Sequence, residues 1–165
     1  MNASDVTEIY TLLHNNSIDP WIDGGWGVDA LLEKQTRPHE DLDIVIQQKD
    51  IPKLRRLLAG YKDIPRDDTS AWNFVLGNSQ GKLVDVRAVV FDDKGNGLYG
   101  PIEKGTMYPA DSLTGIGVIN GQKVRCISAQ YVVKFRSGYE LDKNDKRDIS
   151  AILEKFGIKR PQPPS

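Results

Sequence analysis

A single cysteine, Cys126, leaves the chain without any internal disulfide. It lies in Lys123-Val124-Arg125-Cys126-Ile127, an apolar-polar stretch that predicts a buried structural thiol. No apolar run approaches the roughly 18 residues that cross a bilayer, and no charged-then-apolar leader opens the chain. The expected location is therefore the cytoplasm, with no membrane partner. Neither sign of charge dominates: 22 Lys and Arg stand against 23 Asp and Glu, a formal net charge of −1. That balance gives no global basic field for a long nucleic acid, although a locally basic pocket remains compatible with it. Internal repeats and internal linkers are also lacking. One domain over residues 1–159 is expected, followed by a Pro-rich, unstructured tail over 160–165. What is present, 165 residues of which 39% are hydrophobic and 27% charged, suffices for one buried core.

Periodicity places the elements. Val6, Ile9, Tyr10 and Leu13 fall on one face of a helix that begins near Ser4 or Asp5. Pro20 to Asp23 reads as a short strand, Gly24-Gly25 as its break, and Trp26 to Lys34 as a second helix. The β-branched run Asp41 to Ile46 is a strand. A third helix fits Asp50 to Leu58, with Asp50 as N-cap. Strands are predicted at Trp72 to Leu76 and Lys82 to Phe91, with Val84, Val86, Ala88 and Val90 on the core face of the latter. Asp92 to Gly97 is a loop. A hairpin at Ile116–Ile119 and Gln122–Cys126 turns on Asn120-Gly121. Ser128 caps a helix to about Arg136. The last helix covers Asp145 to Phe156, burying Ile149, Ile152, Leu153 and Phe156 and stopping at Gly157. Helices flanking a small mixed sheet built largely from hairpins, with helices at the C-terminal end, make an α+β fold.

The chemistry concentrates in residues 21 to 46. Residues two apart on a strand share a face, so Asp41 and Asp43 aim two carboxylates to the same side. Like charges so placed raise each other's proton affinity unless a cation intervenes, and hard oxygen donors of this kind suit Mg²⁺. Gly24 and Gly25 precede them at a strand-to-helix turn, where a backbone without side chains lets phosphate oxygens approach. A third carboxylate, Asp85, interrupts one face of an apolar strand. It is costly to bury unpaired and needs either Arg87, two residues on, or a metal.

These residues carry a resemblance. Trp21-Ile22-Asp23-Gly24-Gly25-Trp26-Gly27-Val28-Asp29, followed by Arg37-Pro38-His39-Glu40-Asp41-Leu42-Asp43-Ile44, is similar to the opening of the small antibiotic nucleotidyltransferases. These are the lincosamide and aminoglycoside enzymes of the polymerase-beta-like superfamily. Val124 to Ser128, Ser137-Gly138-Tyr139-Glu140-Leu141 and Asp145-x-x-Asp148-Ile149 resemble the lincosamide branch. That branch tends to carry His before the Ser-Gly-Tyr segment, where this chain has Arg136.

The resemblance implies a nucleotidyltransferase fold and transfer of a nucleoside monophosphate, AMP, from ATP or another nucleoside triphosphate. The acceptor is the hydroxyl of a small molecule, and pyrophosphate leaves. It further implies two Mg²⁺ ions on Asp41, Asp43 and Asp85, with Asp85 also a general base, and Gly24 and Gly25 at the triphosphate; Arg37, by its charge, is a further candidate to reach phosphate oxygens. His39 is a candidate to orient an aspartate, and Asp29 a structural acceptor. Lys134, Lys143, Lys146 and Arg147 are cations of which one or two could meet the leaving pyrophosphate. Trp21, Trp26 and Trp72 are packing residues. A second subunit, making a homodimer, could close the acceptor cleft. Transfer to another metabolite or to a protein, and a non-catalytic nucleotide-binding module, are the competing readings.

Overall fold

Two parallel strands carry the three aspartates, and the rest of the fold holds those strands side by side. The computed structural model describes residues 1–101 and 105–160; of the expected tail, residues 161–165 lie outside the described residues. Helix α1 (Ala3–Asn15) starts at Asn2, whose side chain caps Asp5 while Asp5 caps Asn2 in return. It buries Val6, Ile9, Tyr10 and Leu13 as their spacing predicts. Strand β1 (Trp21–Asp23) leads directly into α2 (Gly24–Leu32), then β2 (Asp41–Gln47) and α3 (Ile51–Leu57). Asp50 precedes α3 without making a capping hydrogen bond. Strands β3 (Tyr61–Ile64), β4 (Asn73–Asn78) and β5 (Leu83–Phe91) follow, then the short β6 (Gly97–Tyr99) and β7 (Thr106–Tyr108). The hairpin β8 (Gly115–Ile119) and β9 (Gln122–Cys126) precedes α4 (Ala129–Phe135) and α5 (Lys143–Phe156).

Among the described residues the strands form one mixed sheet, in the order β3-β4-β5-β2-β1-β9-β8, with β6 added to β5 and β7 to β6. β1 and β2 are antiparallel, β2 and β5 parallel. The β8–β9 turn uses Asn120 at φ 49° and Gly121 at φ 75°, the positive pair that a two-residue hairpin needs.

The core follows from period two. Leu42, Ile44 and Ile46 of β2 and Val84, Val86 and Ala88 of β5 are buried on one face, where α2 and the C-terminal helices cover the sheet centre with Trp26, Leu31, Ile149 and Ile152. Removal of a side chain of this size from water contributes about 1.5–3 kcal/mol. The pattern overreaches at its ends: Val90 is 43% and Phe156 is 43% exposed. Cys126 is fully buried, and burial, then the charge of Asp23, pushes its thiol up to about 12. Among the described residues, no helix is long and apolar enough to cross a membrane.

Candidate active site

Register brings the carboxylates together. Asp43 on β2 is paired in register with Asp85 on β5 and with Asp23 on β1, so three aspartates cross adjacent strands in one row. Asp41 stands two residues before Asp43 on the same face. Asp41, Asp43 and Asp85 each offer an oxygen within 4.8 Å of the others. Burial first, and the neighbouring Asp41 carboxylate second, push the Asp43 carboxyl up to about 7. Asp41 is raised as well, by burial and then by Asp85. Crowded, partly buried oxygen donors whose charge is unfavourable as it stands are the donor set a hard divalent cation fits.

The glycine turn serves this cluster directly. Gly24 has φ +59°, and a Cβ there would overlap the Asp43 carboxylate. Its N–H donates to Asp23 Oδ1 at 2.8 Å, which fixes the turn into α2. A Cβ on Gly25 would overlap the His39 ring and meet Arg37 Nη2 at 3.0 Å. Gly24→Ala therefore pays a left-handed backbone cost of about 1–2 kcal/mol and also displaces Asp43. The expected outcome is lowered urea stability together with weaker binding of Mg²⁺, checked by unfolding and by a Mg²⁺ titration on the same preparation.

Asp85 has a cation, and it is not the expected one. Arg66, in the loop between β3 and β4, reaches it with Nη1 at 2.9 Å from Oδ2 and Nη2 at 3.4 Å from Oδ1. Arg87 turns the other way, to Asp23 at 3.4 Å and Asp43 at 4.0 Å. Tyr108 donates its hydroxyl to the same Asp23 oxygen at 3.5 Å. Sequence reasoning missed Asp23 and Tyr108. The antiparallel pairing of β1 with β2 could have found the first, since it sets Asp23 opposite Asp43.

The remaining candidates divide. His39 does orient an aspartate, but that aspartate is Asp29, a buried residue of α2 at 2.5 Å, rather than a member of the cluster. Asp29 also accepts from Thr36 N and Oγ1, the structural role expected of it. Arg37 borders Gly25 and donates to Asp148 at 3.3 Å. Glu40 is exposed. Trp21 and Trp26 are packed in the core.

A cleft of about 450 Å³ opens beside Asp43 and Gly24, walled by Arg87, Tyr99, Tyr108 and Arg136. Lys134, Lys143, Lys146 and Arg147 lie outside its lining. A larger hollow of about 680 Å³ lies between Lys34-Gln35-Thr36 and α5, and touches none of the three clustered carboxylates. Chemistry, rather than volume, selects the smaller one.

The raised Asp43 carboxyl makes metal-free stability depend on pH. A carboxyl lifted from 3.8 to about 7 contributes stability that is complete below the unfolded value and is lost as pH rises through about 7. The metal-free protein is expected to melt higher at about pH 5.5 than at about pH 8. Mg²⁺ is expected to raise the melting temperature more at the higher pH, where the ligands are ionised. Paired thermal melts in chelator and in Mg²⁺ check both signs.

Comparison with known proteins places the chain. Its fold is shared by solved nucleotidyltransferases, and the chain is an enzyme of that class. It belongs to the aminoglycoside-2''-adenylyltransferase family, which it matches over residues 5–152. A lincosamide resistance protein of Staphylococcus haemolyticus is 28% identical over 160 residues, spanning 92% of this chain and 98% of the relative. The lincomycin-bound lincosamide antibiotic adenylyltransferase LnuA superposes with a TM-score of 0.78 at 28% identity, covering 90% of this chain and 94% of that one. ANT(2'')-Ia in complex with adenylyl-2''-tobramycin has a TM-score of 0.70 at 21% identity, over 94% and 89% of the two chains, a likeness of fold.

Proposed function

We propose that the chain transfers AMP from ATP to a hydroxyl of a lincosamide-type antibiotic and releases pyrophosphate. The observation that carries this reading is the convergence of Asp41, Asp43 and Asp85 beside the Gly24 turn. Asp41, Asp43 and Asp85 are the residues to hold two Mg²⁺ ions, whose contribution is to neutralise charge building on the phosphate and to favour loss of the acceptor proton. The Gly24-Gly25 turn and Arg37 border the place for the triphosphate. The acceptor oxygen forms a bond to the α-phosphorus as the bond to pyrophosphate breaks on the opposite side. Asp85 accepts the hydroxyl proton, and Arg66 offsets the carboxylate's charge when no metal does so.

One observation favours a lincosamide over an aminoglycoside: the relatives that act on or resist lincosamides are the more similar in sequence. Incubation of the protein with Mg²⁺ and α-labelled ATP, GTP, CTP or UTP, against lincosamides, aminoglycosides and a whole-cell extract, tests this. Label from ATP on a lincosamide is the expected result. Label appearing only on another metabolite or on a protein contradicts the acceptor, and label on nothing contradicts the transfer.

A further inference from the structure

Arg136 closes α4 with most of its side chain buried, at 12% exposure, and it lines the cleft that also contains Gly24 and Asp43. A guanidinium has five N–H donors. Among the described residues Arg136 makes one side-chain hydrogen bond, from Nη1 to the Val132 carbonyl at 3.2 Å. Its Nε is buried without a hydrogen-bond partner: Asp145 Oδ1 lies 3.5 Å away but out of line. The oxygens of Asp145 are otherwise engaged, Oδ1 by the Tyr139 hydroxyl and Oδ2 by the Asp142 N–H.

Arg37, on the other side of the glycine turn, repeats the pattern. Its Nη2 donates to Asp148 at 3.3 Å, and its Nε is buried without a partner. Asp148, 3% exposed on α5, also lies 3.9 Å from Arg136 Nη2. One buried carboxylate thus stands between two arginines and satisfies neither fully. The open Nε groups cost free energy where they are, and the spare N–H donors on the Nη atoms of the two guanidinium groups are the ones available to a ligand. A planar guanidinium is matched by the oxygens of a phosphate, in pairs.

We propose that Arg136 is a second arginine for the phosphate tail. In this assignment it works with Arg37 to hold the β- and γ-phosphates and then the departing pyrophosphate, while Asp148 positions both guanidinium groups. The assignment rests on the nucleotidyl-transfer reading and adds to it a residue and its part of the substrate. It also sorts the C-terminal cations: Arg136 lines the cleft that contains Gly24, whereas Lys143, Lys146 and Arg147 are exposed.

The test compares ligands with and without the tail. Calorimetric titrations of the full chain in Mg²⁺ use a non-hydrolysable ATP analogue, inorganic pyrophosphate and AMP, with wild type, Arg136→Gln and Arg136→Lys. Loss of a charge-assisted hydrogen bond is expected to weaken the analogue and pyrophosphate about ten- to a hundredfold in Arg136→Gln. Arg136→Lys recovers part of the loss, and AMP affinity stays as in wild type, which also reports that the variant is folded. Unchanged analogue affinity in Arg136→Gln, with wild type binding normally, overturns the assignment alone. Equal weakening of AMP and the analogue also overturns it, and marks the arginine as a structural ion pair. A wild-type chain that binds neither analogue nor pyrophosphate overturns the nucleotidyl-transfer reading and this assignment together.

Discussion

Asp43→Asn is expected to lower transfer by about a thousandfold or more while making the metal-free protein more stable at about pH 8. The two effects have one cause. Asp43 shares a partly buried cluster with Asp41 and Asp85, so its charge is unfavourable until a cation arrives. Asparagine keeps the shape and removes the repulsion, which relieves the metal-free fold. The same change removes one oxygen anion from a three-carboxylate cluster, and metal binding weakens with it. Arg87, 4.0 Å from Asp43 and 3.4 Å from Asp23, keeps the closer partner and is not stranded by the substitution. Thermal melts in chelator and transfer rates in Mg²⁺, on wild type and variant, check both signs. A variant that is less stable without metal and still active contradicts the account of the cluster.

Asp85→Asn is expected to reduce turnover by about 10²–10⁴, the range of a lost general base, with a much smaller change in affinity for a non-hydrolysable triphosphate. Asp85 comes from the neighbouring strand, and Asp41 and Asp43 on β2 remain to hold metal and triphosphate. Stability should change by no more than about 1 kcal/mol. The substitution removes the buried charge, whereas the partner left behind, Arg66, is 37% exposed and can be solvated by water. Single-turnover rates set beside analogue titrations separate the two effects. Equal losses in binding and turnover would make Asp85 a metal ligand without a base role.

The aspartates were legible because strands encode faces by alternation. Asp41 and Asp43 two apart, and Asp85 among valines, are local signals that any register preserves. Gly24 was legible as a turn, but its close contact with Asp43 depends on β1 lying antiparallel to β2. Arg66 left no trace, since it comes from a loop without periodicity, 19 residues from its partner. Strand β3 was missed for a related reason: Lys62, Asp63 and Ile64 are all exposed, so an edge strand held by backbone pairing shows no apolar alternation. Strands β6 and β7, three residues each, are too short for any period. Arg87 was visible as a cation two residues from Asp85, yet it serves the row of Asp23 and Asp43. Which of two flanking carboxylates an arginine chooses depends on neighbouring strands, not on its own.

The most direct test of the account is a crystal structure of the chain soaked with a non-hydrolysable ATP analogue and Mg²⁺. The account predicts metal density among the oxygens of Asp41, Asp43 and Asp85, with the triphosphate running past Gly24 and Gly25 and its tail between Arg37 and Arg136. A triphosphate bound in the hollow beside α5, or bound at the glycine turn with no ion on the three carboxylates, would contradict it.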